Sequence, residues 1–217
     1  MDCPQCEGIE LETREWARED LESYRAGNLA KTTPMLITAL TTLGAQGRDL
    51  LDIGGGVGAI QLQLLAAGAT TATSVDASAA YIEVAREEAR SLGLAERISY
   101  HHGDFVALAG EIPEADIVTL DRVICCYHDA VALVSLSAAK ARKYYGLVYP
   151  RDRLLVRIGL WFENLACRFK KSPFRAFVHP TELVDTLVRE KGLVQVYERT
   201  TFIWRVIVYE RIPVTAV

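Results

Sequence analysis

Three aspartates stand at or just after the ends of short apolar runs, where their carboxylates could hold a polar ligand. Asp52 and Asp76 each close such a run, and Asp104 follows the next one after a glycine. Carboxylates in these places accept hydrogen bonds from hydroxyl and ammonium groups, and an acidic residue after the second strand of a nucleotide-binding sheet can bind both ribose hydroxyls. The pattern predicts a site for an adenosine-type ligand.

A glycine-rich turn follows Asp52 and predicts close approach of the backbone to that ligand. Gly54, Gly56 and Gly58 give the spacing G-x-G-x-G, and a helical pattern begins at Ala59. A strand, a tight turn and a helix N-terminus in this order bring backbone N–H groups against a nucleotide-like ligand. Because position 59 is Ala, the spacing departs from the G-x-G-x-x-G dinucleotide fingerprint.

The elements that must position these residues alternate between strand and helix from residue 49 onward, which favours a mostly parallel sheet with right-handed crossovers. Two β-rich runs at the end of the sequence are typical of an antiparallel hairpin. We therefore predict one α/β domain, residues 1–217, with a Rossmann-like seven-stranded sheet, helices on both faces and an N-terminal helical cover at 1–45. The predicted helices are 9–26, 32–43, 59–67, 131–141, 153–169 and 181–191, and the predicted strands are 50–52, 72–75, 98–101, 116–121, 145–149, 193–198 and 202–209.

These motifs, taken in order, resemble those of class I S-adenosylmethionine (SAM) dependent methyltransferases. The resemblance implies that SAM is the cofactor and S-adenosylhomocysteine (SAH) the product. It also implies that Asp76 holds the ribose, that Asp104 lies near the adenine amino group, and that Asp52 either orients the glycine loop or contacts the methionine ammonium through water. Lys31 and Thr32 are candidates for holding the methionine carboxylate, although a solvated Lys beside a helix-capping Thr explains them equally well. The full set of implied cofactor-binding residues is Asp52, Gly54, Gly56, Gly58, Asp76, Ala77, Asp104, Phe105, Leu120, Lys31 and Thr32.

The segment after the fourth predicted strand lines the methyl-transfer site in that family. By this resemblance the candidates for removing a proton from the acceptor are His128, Tyr127 and Asp129. The pKa of a histidine suits a general base near neutral pH. Methyl transfer from a sulfonium is an in-line displacement, and an acceptor that is already an amine, a thiolate or a carboxylate needs no base. The use of a base and the identity of the acceptor atom therefore stay open.

Residues 140–175 differ from the rest of the chain in charge. They contain ten Lys or Arg and two Asp or Glu, a local net charge of +8 in a chain whose formal net charge is −4. A solvated helix face is the ordinary meaning of such a run, and contact with an anionic ligand or a peripheral membrane surface is the alternative. Apolar residues at helical spacing predict a basic, apolar-striped helical insertion at 150–175. The acidic total and the lack of an added recognition domain make a nucleic-acid partner unexpected.

The second half also resembles magnesium-protoporphyrin O-methyltransferases. The resemblance rests on segments 120–124, 149–152 and 172–175 and on the C-terminal hairpin. It implies that the basic segment pairs with a substrate carboxylate and that the apolar stripe packs on a flat hydrophobic ligand, although core packing explains the stripe equally well. The expected acceptor is a small molecule, anionic or aromatic.

Five cysteines and no visible export signal predict reduced thiols and a cytoplasmic location. Cys3 and Cys6 form a single C-x-x-C, and because no second pair follows at zinc-ribbon spacing, no metal is expected. Cys125 and Cys126 lie beside the predicted transfer site, either as small buried hydrophobes or as ligands for a soft element. Two other classes of function stay open: an NAD-dependent oxidoreductase and a non-catalytic SAM-binding protein.

Overall fold

The computed structural model describes residues 4–169, 172 and 174–212, so Cys3, Lys170, Lys171 and Pro173 lie outside the described residues. Its central feature is a seven-stranded sheet. The strands are β1 (Leu50–Ile53), β2 (Ala72–Asp76), β3 (Ile98–His102), β4 (Ala115–Asp121), β5 (Ala141–Pro150), β6 (Leu193–Thr200) and β7 (Trp204–Arg211). The helices are α1 (Pro4–Arg25), α2 (Thr32–Leu43), α3 (Ala59–Ala66), α4 (Ala79–Ser91), α5 (Phe105–Leu108), α6 (Ala130–Lys140), α7 (Leu154–Phe169) and α8 (Thr181–Glu190).

The strands lie in the order β3-β2-β1-β4-β5-β7-β6. Strands β1–β5 are parallel to one another, and β7 runs antiparallel between β5 and β6. The predicted mostly parallel sheet with a C-terminal antiparallel hairpin is therefore confirmed. Because the chain goes from β1 outward to β2 and β3 and then returns to β4 on the other side of β1, a crevice forms between β1 and β4 at their carboxyl ends.

Both faces of the sheet are covered. All four residues of β1 are buried, as expected for a strand in a covered parallel sheet. One face packs against α6 and α8 through Leu133 and Val184, and the other packs against α2 and α3 through Leu36 and Ile60. At Gly146 of β5 the approach of α2 is so close that a Cβ would lie 2.8 Å from Leu36 Cδ1. Thus α2 belongs to the core of the sheet, and only its first turn reaches the carboxyl edge.

The other N-terminal helix, α1, lies against α4 beside the carboxyl ends of the strands. Arg18 bonds to Glu87 at 2.5 Å, and Arg25 bonds to the largely buried Glu88 at 2.7 Å. Near the start of α4, the hydroxyls of Thr13 and Ser78 are 2.6 Å apart and buried. Of the predicted cover at 1–45, α1 is the part that lies over the carboxyl edge. Within the described residues, no helix combines the length and the apolar character needed to cross a bilayer.

Candidate functional site

A cavity of about 740 Å³ opens at the carboxyl ends of β1–β4, with α1 forming one wall. This volume lies in the range of clefts that bind small ligands and cofactors. The cavity also lies at the point where the strand order reverses, which is where open α/β sheets bind their ligands. The fold thus brings the carboxyl ends of the first four strands together at one cavity.

Asp52 supplies a buried carboxyl to this cavity. It is only 1% exposed, and its Oδ1 accepts a hydrogen bond of 2.7 Å from the Thr119 hydroxyl on the neighbouring strand. Its Oδ2 is buried and has no hydrogen-bond partner among the described residues. Burial raises the pKa of Asp52 to about 7, with Asp121 and Asp76 adding repulsion. A buried polar atom without a partner is costly, so a cationic or hydrogen-donating ligand group would relieve that cost.

Asp76, at the end of β2, is held by backbone groups. Its Oδ2 accepts from Gly56 N at 3.0 Å and its Oδ1 from Ser78 N at 2.8 Å, which fixes the carboxyl between the glycine turn and α4. Burial raises the pKa of Asp76. Each carboxylate oxygen can accept more than one hydrogen bond, so two acceptors remain for a ligand.

The three glycines of the turn serve different purposes. Gly54 has φ +66° and lies against the segment after β4, where a Cβ would be 2.4 Å from Val123 Cγ2. Gly56 has φ +53°, and a Cβ there would meet nothing within 4 Å. Gly58 is absent from the cavity lining among the described residues, and a Cβ on it would lie 2.8 Å from Gln61 Nε2. Thus Gly54 and Gly58 satisfy packing within the protein, whereas Gly56 keeps the cavity wall free of a side chain.

A hydrogen bond between Asp104 and Tyr127 joins the segments that follow β3 and β4. Asp104 caps α5 by accepting from Val106 N at 3.0 Å, and its Oδ2 accepts from the Tyr127 hydroxyl at 2.9 Å. Asp104, Tyr127 and Phe105 all line the cavity, as does Ala77 after β2. The Tyr127 hydroxyl is therefore committed to orienting Asp104.

Asp121 and Thr33 also line the cavity, although neither was among the predicted site residues. Thr33 donates a hydrogen bond of 2.5 Å to Asp121 Oδ2. Asp121 ends β4, just as Asp52 and Asp76 close the apolar runs of the first two strands. The same strand-end rule, applied to the fourth strand, would therefore have identified Asp121. Thr33 could not be found this way, because only its contact with Asp121 shows which residue of the first turn of α2 faces the cavity.

Arg122 is a further lining residue that the sequence analysis left out of the site. It lines the cavity and has φ +62°, the only left-handed residue other than glycine within the described part of the chain. Such backbone costs about 1–2 kcal/mol for an L-residue and is found where the surroundings enforce it, often at functional sites. Its Nε lies 3.3 Å from Asp121 Oδ1, and its side chain is 44% exposed.

Several predicted residues lie elsewhere. Lys31 is exposed and Thr32 is buried, and neither lines the cavity, because α2 turns its next residue toward Asp121. His128 is exposed, and Asp129 caps α6 by accepting from Ala132 N at 2.9 Å. The chain leaves the cavity wall at Tyr127 to begin α6, so these two predicted catalytic residues are displaced from it. Leu120 is fully buried beneath the wall and is not among the lining residues.

The charge of the cavity is strongly one-sided. Among the described residues that line it are five aspartates and one cationic residue, Arg122. The aspartates are Asp20, Asp52, Asp76, Asp104 and Asp121. Carboxylates gathered around a concave, partly desolvated site favour cationic ligands and disfavour anionic ones.

Aromatic and sulfur-containing side chains also line the cavity. They include Trp16 from α1, Phe174 from the segment after α7, and Cys126. Cys126 Sγ lies 3.7 Å from Cys125 Sγ, and this contact lowers the pKa of Cys126. These side chains give the cavity apolar and polarisable contacts in addition to its carboxylates.

One region of the chain matches a known protein family. Residues 50–142 match the family model described as a methyltransferase domain. The match spans less than half of the chain, 93 of its 217 residues. The matched residues run from β1 into β5 and include the glycine turn, Asp76, Asp104 and the segment after β4. The predicted family resemblance is thus confirmed.

Solved structures share the fold of the methyltransferase domain. Magnesium protoporphyrin IX methyltransferase from Synechocystis PCC 6803, with bound SAH, is 21% identical at a TM-score of 0.68, covering 83% of this chain and 82% of that one. An O-methyltransferase family 2 protein from Planctomyces limnophilus DSM 3776, in complex with apigenin, is 20% identical at a TM-score of 0.66, covering 92% and 62%. A (4+2)-cyclase is 13% identical at a TM-score of 0.62, covering 82% and 79%. No curated protein matches the sequence.

Proposed function

We propose that this chain binds SAM at the carboxyl ends of β1–β4 and transfers its methyl group to a small-molecule acceptor. The observation that carries the proposal is the cavity with five aspartates and one arginine among its described lining residues. SAM bears a positive sulfonium and an ammonium group, which such a cavity attracts. The diphosphate of NAD would meet the same carboxylates unfavourably, so the charge argues against the dinucleotide alternative.

Residues at neighbouring strand ends bind different parts of the cofactor. Asp76, with Ala77 beside it, accepts from the ribose hydroxyls, and Asp104, with Phe105, lies at the adenine. The spare oxygen of Asp52 accepts from the methionine ammonium, directly or through water, which satisfies a buried atom that has no described partner in the protein. The glycine turn passes beneath the amino-acid portion of the cofactor.

The aromatic part of the cavity holds the acceptor in this proposal. Trp16 and Phe174 offer ring faces, and Arg122 is the one cation among the described lining residues. These groups suit an aromatic acceptor that carries an anionic group, with its carboxylate or phenolate against the guanidinium. A small-molecule acceptor is favoured over nucleic acid because phosphates would face the aspartates.

Alignment is the main chemical contribution of the protein. When bound, SAM supplies the methyl group and the sulfonium leaving group. The aspartates and the glycine turn fix the position of the cofactor, while α1 and the aromatic wall exclude water around the acceptor. His128 and Asp129 do not line the cavity, and the Tyr127 hydroxyl already donates to Asp104. The proposal therefore assigns no general base, because an acceptor that reacts as a carboxylate, a phenolate or a thiolate has no proton to lose.

Calorimetric titration with SAH, and in parallel with NAD, tests the proposed cofactor. We expect binding of SAH and none of NAD. Binding of NAD alone would overturn the proposal and point to hydride chemistry.

Transfer itself is tested by incubating the protein with methyl-labelled SAM and a panel of aromatic carboxylates, phenolates and thiols. Label in an acceptor supports the proposal. SAH binding without label in any acceptor would favour the non-catalytic SAM-binding alternative.

A further inference from the structure

The apolar stripe of α7 faces solvent. Val156 is the one buried residue of this helix, whereas the large apolar side chains on the opposite side are 43–81% exposed. A helix of a globular protein normally turns its apolar stripe toward the core. In α7 the exposed members are Leu154, Leu155, Ile158, Trp161, Phe162 and Phe169.

The other side of α7 holds the helix to the protein. Asn164 exchanges two hydrogen bonds of 2.8 Å with the backbone of Ala176, one from its amide and one to its carbonyl oxygen. The backbone N of Ser172 donates to the carbonyl of Cys167 at 2.9 Å. Because these contacts use the side of the helix that carries Asn164, the apolar stripe cannot turn inward without breaking them.

The exposed apolar surface continues into the turn between β6 and β7. Phe202 and Ile203 in this turn are 62% and 44% exposed. The backbone N of Arg151 donates to the Ile203 carbonyl at 2.7 Å, which joins the turn to the segment leading into α7. We call the six exposed residues of α7 together with Phe202 and Ile203 the α7 face. A cluster of this kind on a protein surface marks a contact with another phase or partner.

The segment of sequence that contains α7 is basic. Residues 151–175 contain seven Lys or Arg and two Asp or Glu, a local charge of +5, although the whole chain has −4. Arg153 and Arg168 are exposed at the two ends of α7, and no hydrogen bond or ion pair joins either side chain to a described residue. The charges that accompany the apolar face are therefore positive and available.

We propose that the α7 face docks on an anionic lipid bilayer, with α7 lying in the plane of the interface. Trp, Phe and Leu on one face with Arg along its border are the composition of helices that insert shallowly at the headgroup boundary and respond to anionic lipid. The charge complementarity decides the occupant. In a two-fold dimer the same patch meets itself, which would bring the basic borders of two copies together. An acidic bilayer neutralises them.

The experiment is flotation of the full chain with vesicles of phosphatidylcholine alone or with phosphatidylglycerol added. We expect binding to the anionic vesicles only, and a fall in the bound fraction as salt rises, because screening weakens the attraction of the arginines. The double variant Trp161→Gln, Phe162→Gln should lower the partition coefficient about tenfold or more, since both side chains lose apolar burial in the lipid. Arg153→Glu with Arg168→Glu should lower it further in low salt.

Matched controls separate the α7 face from general surface effects. Leu92→Gln removes another exposed apolar side chain, 51% exposed and outside the face, and Arg90→Glu reverses an exposed charge on α4. Both should bind vesicles as the unaltered protein does. SAH titration of all variants reports that the fold is retained, and because docking does not depend on the cofactor, it stands or falls separately from the proposed function.

Three results would overturn the proposal. The unaltered protein could fail to float with anionic vesicles, or the α7 variants could float as well as it does. A dimer in sedimentation analysis that dissociates in the Trp161→Gln, Phe162→Gln variant would assign the face to a second copy instead.

Discussion

At the carboxyl ends of β1–β4 the chain buries charge, whereas along α7 it exposes apolar surface. Asp52 and Asp76 are 1% and 6% exposed, and Trp161 and Phe162 are each 59% exposed. Each arrangement costs free energy in the isolated protein, the first through desolvation of carboxylates and the second through hydration of apolar area. Each cost disappears when a complementary partner arrives, a cation in the cavity and an apolar phase at the α7 face. The cavity is therefore complementary to a cationic ligand, and the α7 face is complementary to an apolar phase.

The largest effect should come from a buried arginine in the C-terminal hairpin. Arg205 of β7 donates to the Tyr149 hydroxyl at 2.5 Å, to Asp185 at 2.7 Å and to Glu198 at 2.8 Å. Its side chain is only 8% exposed, so Arg205→Ala leaves carboxylates near the core without their cation. We expect the free energy of unfolding in urea to fall by about 3–5 kcal/mol.

The neighbouring variant Arg199→Ala, at an exposed position of β6, should change the stability by about 0.5 kcal/mol or less. SAH affinity of the folded fraction should be unchanged in both variants. A loss below 1 kcal/mol for Arg205→Ala would show that its carboxylate partners relax to solvent when the cation is removed.

The second prediction tests the cavity. Asp76→Ala removes the proposed ribose acceptor and should weaken SAH binding by about 10- to 100-fold, the size expected for hydrogen bonds to a charged group. Asp129→Ala is the matched control, because it deletes an aspartate that caps α6 outside the cavity. It should cost about 1 kcal/mol of stability and leave the SAH dissociation constant as it is. Equal affinity of Asp76→Ala and the unaltered protein in calorimetry would remove Asp76 from the site.

A pair of glycines gives the third prediction. Gly56 and Gly93 have φ of +53° and +69°, and a Cβ on either would meet nothing within 4 Å. Gly56→Ala and Gly93→Ala should therefore lose similar stability, about 1–2 kcal/mol, from left-handed strain. Only Gly56→Ala places a methyl group in the cavity wall, so only this variant should lose SAH affinity. Loss of affinity in both would mean that strain, not the methyl group, disturbs the site.

The last prediction is a pH dependence from Asp52. With its pKa raised to about 7, the folded carboxyl keeps a proton that the unfolded chain releases near pH 4. Its contribution to stability is complete below about pH 4 and is lost as pH rises to about 7. The ammonium of SAH prefers the ionised carboxylate, so SAH affinity should rise between pH 6 and 8. Asp52→Asn should flatten the dependence of both stability and SAH affinity on pH. A pH dependence that the substitution leaves unchanged would come from another titrating group.

The cavity could be predicted further from the sequence than the α7 face could. Asp52, Asp76 and Asp104 were found because apolar runs and a glycine mark strand ends, and strand ends converge in a parallel sheet. His128 was placed at the site by its position after β4, but the start of α6 carries it outward. Local spacing cannot show where a chain leaves a cavity wall.

For α7, helical periodicity predicted the helix and its stripe but not its orientation. A stripe of Leu, Ile, Trp and Phe looks the same whether it packs on a core or faces outward, and core packing was the equal alternative in the sequence. What turns the stripe outward is the pairing of Asn164 with Ala176, a contact between residues that no local pattern connects. The orientation of a helix is a tertiary property.

The position of β7 has a consequence for how the chain is made. Residues 204–211 lie between β5 and β6, so the ten-residue edge of β5 finds its partner only after the last strand has been synthesised. A nascent chain that stops before residue 204 presents an open sheet edge, the kind of surface that pairs with other chains. During translation this protein therefore passes through a stage in which its sheet is nearly built yet most prone to aggregation.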